Sequence, residues 1–270
     1  KDMALINFLI KIDENHPKFH IRIMLPPKLK FKGFFYYLNQ LKYEMDNKKI
    51  FIYTWSNYNY NYFLKNTVSK KGIYKSNIPW SFYNRKNLNK YHVVGYVGDA
   101  RKSRGFQHLP ILIKSLYKKN KSLKYLIQFS KISADLFEVK KELYALAKKN
   151  KKIKIIEKYV DYKDFTNYLK KIDIMPILHD YDEINKVTSG TMYSCIPFQI
   201  PIVVPMGTIF LQKINKHKSY EIAKNITDYS NKILKILNNY KFYLNNFKKN
   251  LLILKKILEK DPLKKNIINK

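Results

Sequence analysis

The chain has 270 residues, of which 46% are hydrophobic and 15% aromatic, a content that excludes intrinsic disorder and suffices for one large domain or two smaller ones. Its 53 Lys and Arg against 20 Asp and Glu give a formal net charge of +33; the excess is mostly lysine scattered from Lys1 to Lys270 beside abundant Asn, Ile and Tyr, so biased codon usage accounts for it as well as an anionic partner does. The single cysteine, Cys195, excludes an internal disulfide and a thiolate metal cluster and fits a reducing cytoplasm, and without a run of about 18 apolar residues no transmembrane helix is expected.

The opening KDMALINFLIKI has no continuous apolar core and no small-residue cleavage site, so a signal peptide is not expected. Apolar residues at 3, 5, 6, 9, 10 and 12 predict a helix over Met3 to Asp13. Phe19 to Leu25 alternates as a strand until Pro26 and Pro27 stop it. Phe34 to Met45 reads as a helix and Lys49 to Thr54 as a second strand. The low-complexity WSNYNYNY, Trp55 to Tyr62, is either a stacking surface for sugars or bases or a polar turn opening a helix, and the second accounts for it more simply. Gly72 to Pro79 is a short extended piece, and Trp80 to Tyr91 lacks periodicity and reads as a linker, of which residues 84–91 separate the two domains. Residues 1–83 therefore hold too few β/α units for a self-sufficient doubly wound sheet and form a partial α/β domain.

From Val93 the alternation becomes regular. Strands are expected at Val93 to Gly98, Lys124 to Ser130, Ile153 to Glu157, Ile172 to Leu178 and Ile200 to Val204. Helices are expected at Gly105 to Lys119, Ala134 to Asn150, Lys163 to Lys171 and Ser189 to Phe198. Such β/α alternation with short links predicts a parallel sheet covered by helices on both faces over residues 92–218, a Rossmann-like domain whose ligand lies at the carboxyl ends of the strands. In the tail, Tyr220 to Leu258 carries apolar residues at alternating spacings of three and four, so residues 219–270 read as amphipathic C-terminal helices ending at Asp261 and Pro262.

Two stretches carry chemistry. VVGYVGDARKSRGFQHL, Val93 to Leu109, runs from a buried strand into a glycine-punctuated turn with Arg101 and Arg104. Gly95 and Gly98 let the backbone turn or approach a ligand, and the N–H groups of a helix starting near Gly105 would attract phosphate. An ordinary turn with solvated arginines accounts for the same residues. In the second stretch, Ile172 to Pro205, a strand ends at Leu178 and Thr188, Ser189 and Gly190 open a helix, which is either a second phosphate turn or plain N-capping. Two such turns in one sheet point to a diphosphate. His179 ends a strand at the expected cleft, and no His, Cys or carboxylate spacing reads as a metal site or nucleophilic triad.

The runs GYVGDARKSRGFQHLP, KYVDYKDFTNYLKKIDIMPIL, TSG and IPIVVPMGT, in this order, resemble the C-terminal, donor-binding domain of GT-B glycosyltransferases of family 4, the glycosyl transferases group 1 clan, over roughly Tyr91 to Lys260. The resemblance implies two facing Rossmann-like halves, a metal-independent and cofactor-free retaining hexosyl transfer, a nucleotide-sugar donor, a glycan, lipid-linked or small acceptor, and a cytoplasmic setting, peripheral at the inner membrane surface at most. By motif, Gly98, Arg101, Arg104, Ser189, Gly190 and Thr191 would bind the donor diphosphate, and His179, Asp182 and Glu183 are candidate donor or sugar contacts. Typical members carry a spaced pair of glutamates where this chain has Lys186 and Ser194, and Gln199 stands in place of a usual glycine. The catalytic residue is not placed. Two other readings stay open: a basic protein binding nucleic acid or an anionic membrane surface, and a degenerate transferase that binds without turnover. Nucleic acid is not expected as a partner, because no nucleic-acid motif is present.

Overall fold

The structure, a computed structural model, describes residues 18–23, 32–54, 57–76, 92–180, 190–208 and 216–268. The expected helix at Met3 to Asp13 and the linker at 84–91 lie outside them. The chain divides into two compact units, Lys1–Pro79 with Lys255–Lys270, and Trp80–Leu254.

In the first unit β1 (Phe19–Ile23), β2 (Ile50–Thr54) and β3 (Ile73–Lys75) form a parallel sheet in the order β1-β2-β3. The central strand β2, IFIYT, is buried along its whole length, as expected of a parallel strand covered on both faces. The helix expected over Phe34 to Met45 is broken at Leu41 into α1 (Lys32–Gln40) and α2 (Lys42–Asp46). WSNYNYNY runs into a helix, α3 (Asn57–Asn66). Leu38, Met45, Ile52 and Phe63 fill the core.

In the second unit β4 (Val93–Val97), β5 (Lys124–Phe129) and β6 (Ile153–Glu157) form one parallel set, and β7 (Met175–Pro176), β8 (Ile202–Pro205) and β9 (Tyr220–Ala223) another. A parallel bridge between Val94 and Ile174, with the Gly95 N–H donating to the Ile174 carbonyl at 3.0 Å, joins β4 to β7. The resulting order β6-β5-β4-β7-β8-β9 is that of a dinucleotide-binding Rossmann sheet, with its topological switch between β4 and β7. The junction is thin for a covalent reason. The N–H groups of Met175 and Ile177 donate to β8, at the Pro201 and Val203 carbonyls, so the N–H of residue 176 would face β4, and proline has none.

Helices α4 (Leu109–Lys119), α5 (Phe137–Lys149) and α6 (Tyr162–Lys171) connect the strands, α6 capped by the Asp161 carboxylate accepting from the Asp164 N–H at 2.7 Å. α7 (Gly190–Cys195) is shorter than the helix expected over Ser189 to Phe198, and the chain passes through turns to Gln199, whose φ of 54° is the left-handed conformation that a glycine would adopt freely.

The tail differs from the expected uninterrupted helical stripe. Residues 220–223 are strand β9, followed by α8 (Ile226–Asn238), α9 (Tyr240–Glu259) and α10 (Pro262–Ile268). Glu221 is buried in β9 because Lys218 and Lys235 reach its carboxylate at 3.1 Å and the Tyr243 hydroxyl donates to it. Asn225 then caps α8, accepting from the Asp228 N–H at 3.0 Å. Tyrosine hydroxyls pin α8 and α9 to the sheet: Tyr229 donates to the Ile177 carbonyl at 2.6 Å and Tyr240 to that of Asp173 at 3.0 Å. No helix among the described residues is long and apolar enough to cross a membrane.

Candidate functional site

The carboxyl ends of β4 and β7 open a cleft of about 250 Å³, solvent at its mouth included, lined by Val97, Arg104, Leu178, His179 and Thr191 among others. After β4 the chain turns through Gly98, at φ 133°, where a β-carbon would sit 3.0 Å from Arg104 Nη1 and 3.7 Å from Thr191 Oγ1. Three of the residues expected at the site thus meet around this glycine. Thr191, at the start of α7, donates its hydroxyl to the Val97 carbonyl at 3.3 Å, fixing α7 to the end of β4.

The arginine turn differs from the expected helix start. Lys102–Arg104 and Phe106–His108 are single 3-10 turns, and α4 begins only at Leu109. Gly105, at φ 71°, separates the two turns, and a β-carbon there would lie 1.9 Å from the Leu178 carbonyl oxygen. Only glycine lets the arginine turn press against the end of the β7 segment, and the Asp180 N–H donating to the Ser103 carbonyl at 3.0 Å closes the contact. The expected anion-holding helix N-terminus next to Arg104 is therefore absent, and the guanidinium itself supplies the charge. Gly95, expected to approach a ligand, instead makes room for Ile172, whose side chain lies 2.3 Å from where a β-carbon would be.

The two arginines part company. Arg101 is exposed and pairs with Asp99 at 2.7 Å, outside the cleft lining, while Asp99 also accepts from the Ser130 hydroxyl at 3.0 Å. Arg104 is half-buried in the lining, and among the described residues no carboxylate pairs with it. His179 lies beside it with a buried Nδ1 that finds no hydrogen-bond partner among the described residues. Burial first, and then repulsion from Arg104, push its imidazole down to about 4. At neutral pH the cleft thus offers one fixed positive charge beside a neutral imidazole, a pair suited to an anion, while the Thr191 proton is taken by the Val97 carbonyl. Gly190 opens α7 exposed, with nothing within 4 Å of a β-carbon built on it. Ser189, Asp182 and Glu183 lie outside the described residues. Among the described residues no group of three or more His, Cys, Asp and Glu side chains converges on a metal position.

No family model and no curated protein matches the chain. Solved structures do. HepE of Anabaena, in complex with UDP and glucose, is 11% identical with a TM-score of 0.61 over 96% of this chain and 73% of its own. A glycosyltransferase of Rickettsia africae is 18% identical, TM-score 0.57, over 95% of this chain and 80% of its own. TarM is 14% identical, TM-score 0.60, over 98% of this chain but 52% of its own, so this chain spans about half of TarM. These structural neighbours are GT-B glycosyltransferases, and the likeness, together with the strand order and the helix-covered parallel sheets, assigns this chain the same α/β, Rossmann-like fold.

Proposed function

We propose that the chain is a nucleotide-sugar-dependent glycosyltransferase whose donor diphosphate sits in the cleft between β4 and β7. The observation that carries this reading is Arg104, which Gly105 and Gly98 hold at the topological switch point without a carboxylate partner among the described residues. Departure of a nucleoside diphosphate develops negative charge on its oxygens, and a fixed guanidinium aimed there stabilises the transition state. Arginine suits the task because it stays charged and binds phosphate through two N–H groups. Thr191 and the neutral His179 imidazole border the same space; the imidazole fits a contact to the distal phosphate or the sugar, and the Thr191 hydroxyl would turn its proton from the Val97 carbonyl to the phosphate. Gly190 and Ser189 belong to this reading as the turn beside Thr191, and Asp182 and Glu183 as ribose or sugar contacts; Arg101, paired with Asp99 outside the lining, is left out of it. Neighbours such as HepE are in complex with UDP and with UDP-glucose, which supports a nucleotide sugar as donor and makes UDP the first nucleotide to test.

Transfer in this proposal is metal-independent and retaining, to a glycan, lipid-linked or small acceptor. It is tested by calorimetric titration of the chain with UDP and GDP in the presence of EDTA. Micromolar to sub-millimolar binding of one nucleotide, unchanged by the chelator, is expected. Absence of binding to both by a folded chain would overturn the donor assignment, and binding only with added divalent ions would overturn metal independence.

A further inference from the structure

The edge of the second unit opposite the cleft carries a repeated lysine motif. KKNKSLK at 118–124 and KKNKKIK at 148–154 hold four and five lysines and no acidic residue. Each joins a helix to the next strand, α4 to β5 and α5 to β6, and the two loops are built alike. Asn120 and Asn150 end their helices in extended conformations, at φ −149° and −134°, with their N–H groups donating to Leu116 and Leu146. Each asparagine side chain then accepts from the N–H two residues on, at 2.9 and 3.0 Å. Because β5 and β6 are parallel neighbours, both loops lie on one edge of the sheet, and the Lys152 ammonium donates to the Lys121 carbonyl at 2.6 Å across them.

Helix dipoles explain part of this. Lys118, Lys119, Lys148 and Lys149 sit in last turns, where a cation opposes the negative helix end. The lysines beyond the caps gain nothing from it, yet they are exposed. Three ion pairs of these elements, Lys114 with Glu142, Lys140 with Glu157 and Lys141 with Glu138, involve none of the motif lysines.

We infer that this edge is a docking surface for an anionic lipid bilayer. The motif is all lysine, a hydrated point charge suited to diffuse attraction rather than to bidentate recognition, and neither heptapeptide holds an aromatic residue on which a base could stack. Two short loops side by side gather these lysines into one array, and clustered lysines near an anionic membrane strengthen binding by about fivefold each, within a Debye length of about 8 Å. The edge bears the amino ends of the strands and the cleft their carboxyl ends, so a docked unit keeps its cleft away from the lipid.

The test is co-sedimentation of the full chain with phosphatidylcholine vesicles, with and without phosphatidylglycerol. Lys118, Lys121, Lys149 and Lys151 are replaced together by Gln, and in a second variant of equal net charge Lys241, Lys248, Lys249 and Lys256 on the exposed side of α9 are. Circular dichroism confirms that both fold. The expected result is binding only to the anionic vesicles, weakened at least about tenfold in the edge variant and within about twofold of the parent in the α9 variant. Equal losses in both variants would show that net charge alone acts and would overturn the inference. So would failure of the parent chain to bind phosphatidylglycerol vesicles.

Discussion

Gly105→Ala distinguishes an arginine turn held in place by backbone packing from one that is a passive loop. At position 105 a β-carbon would meet the Leu178 carbonyl oxygen at 1.9 Å, so restoring even a 3.0 Å contact requires the two backbones to part by about 1.1 Å. The left-handed φ of 71° adds about 1–2 kcal/mol for a residue other than glycine. Overpacking at a site closed by backbone adds about 1–3 kcal/mol, for a total near 2–5 kcal/mol. The same displacement swings Arg104 from its place, and a misplacement of about 1 Å can cost on the order of a hundredfold in function. Gly190→Ala is the counterpart: a β-carbon there meets nothing within 4 Å, and stability should change by no more than about 1 kcal/mol. Urea unfolding followed by circular dichroism, with nucleotide titration of each variant, reads both quantities. A Gly105→Ala chain as stable as the parent and binding nucleotide equally well would show the turn to be passive.

Three further outcomes follow from the same contacts. His179 has its ordinary value of 6.5 when unfolded and about 4 when folded, so the unfolded chain binds more protons between them; stability should be full above about pH 6.5 and fall by up to about 3 kcal/mol as pH drops towards 4, and His179→Gln should flatten that slope in urea midpoints taken across the range. Tyr229→Phe leaves the buried Ile177 carbonyl without its donor and should cost about 1–2 kcal/mol in the same unfolding assay. Burial pushes the Cys195 thiol up, so a disulfide thiol reagent should leave the native chain unlabelled and react with one equivalent on unfolding; rapid native labelling would contradict the packing around α7.

Much of the second unit is legible in the sequence because its strands are short apolar runs with β-branched residues, set between helical periods and stopped by Gly, Asn or Pro. The tail departs from its sequence pattern for a physical reason: Ile222 and Ile226 continue the helical spacing of the stripe, while the strand at 220–223 carries a buried carboxylate, Glu221, that composition would place outside. Asn225 followed by Asp228 is an available signal for the true helix start, since it has the form of an N-cap with an acidic third residue. The thin β4 to β7 junction is also written in the chain, at Pro176. Arg101 and Arg104 cannot be told apart locally, because what separates them is the pairing with Asp99 on one side and the approach of Leu178 to Gly105 on the other, and the second joins residues far apart in sequence. For His179, only its place at a strand end is visible in the sequence; the neighbouring guanidinium comes from the fold.

Whether Arg104 at the switch point holds the donor diphosphate is decided by the UDP dissociation constants of the parent, Arg104→Ala and Arg101→Ala at physiological salt. Losing a charge-assisted phosphate contact costs about 1.5–3 kcal/mol, so Arg104→Ala should weaken binding by at least about tenfold. Arg101, exposed and paired with Asp99, should change it by less than about threefold. UDP binding that survives Arg104→Ala intact, or that is lost equally in both variants, would place the diphosphate elsewhere.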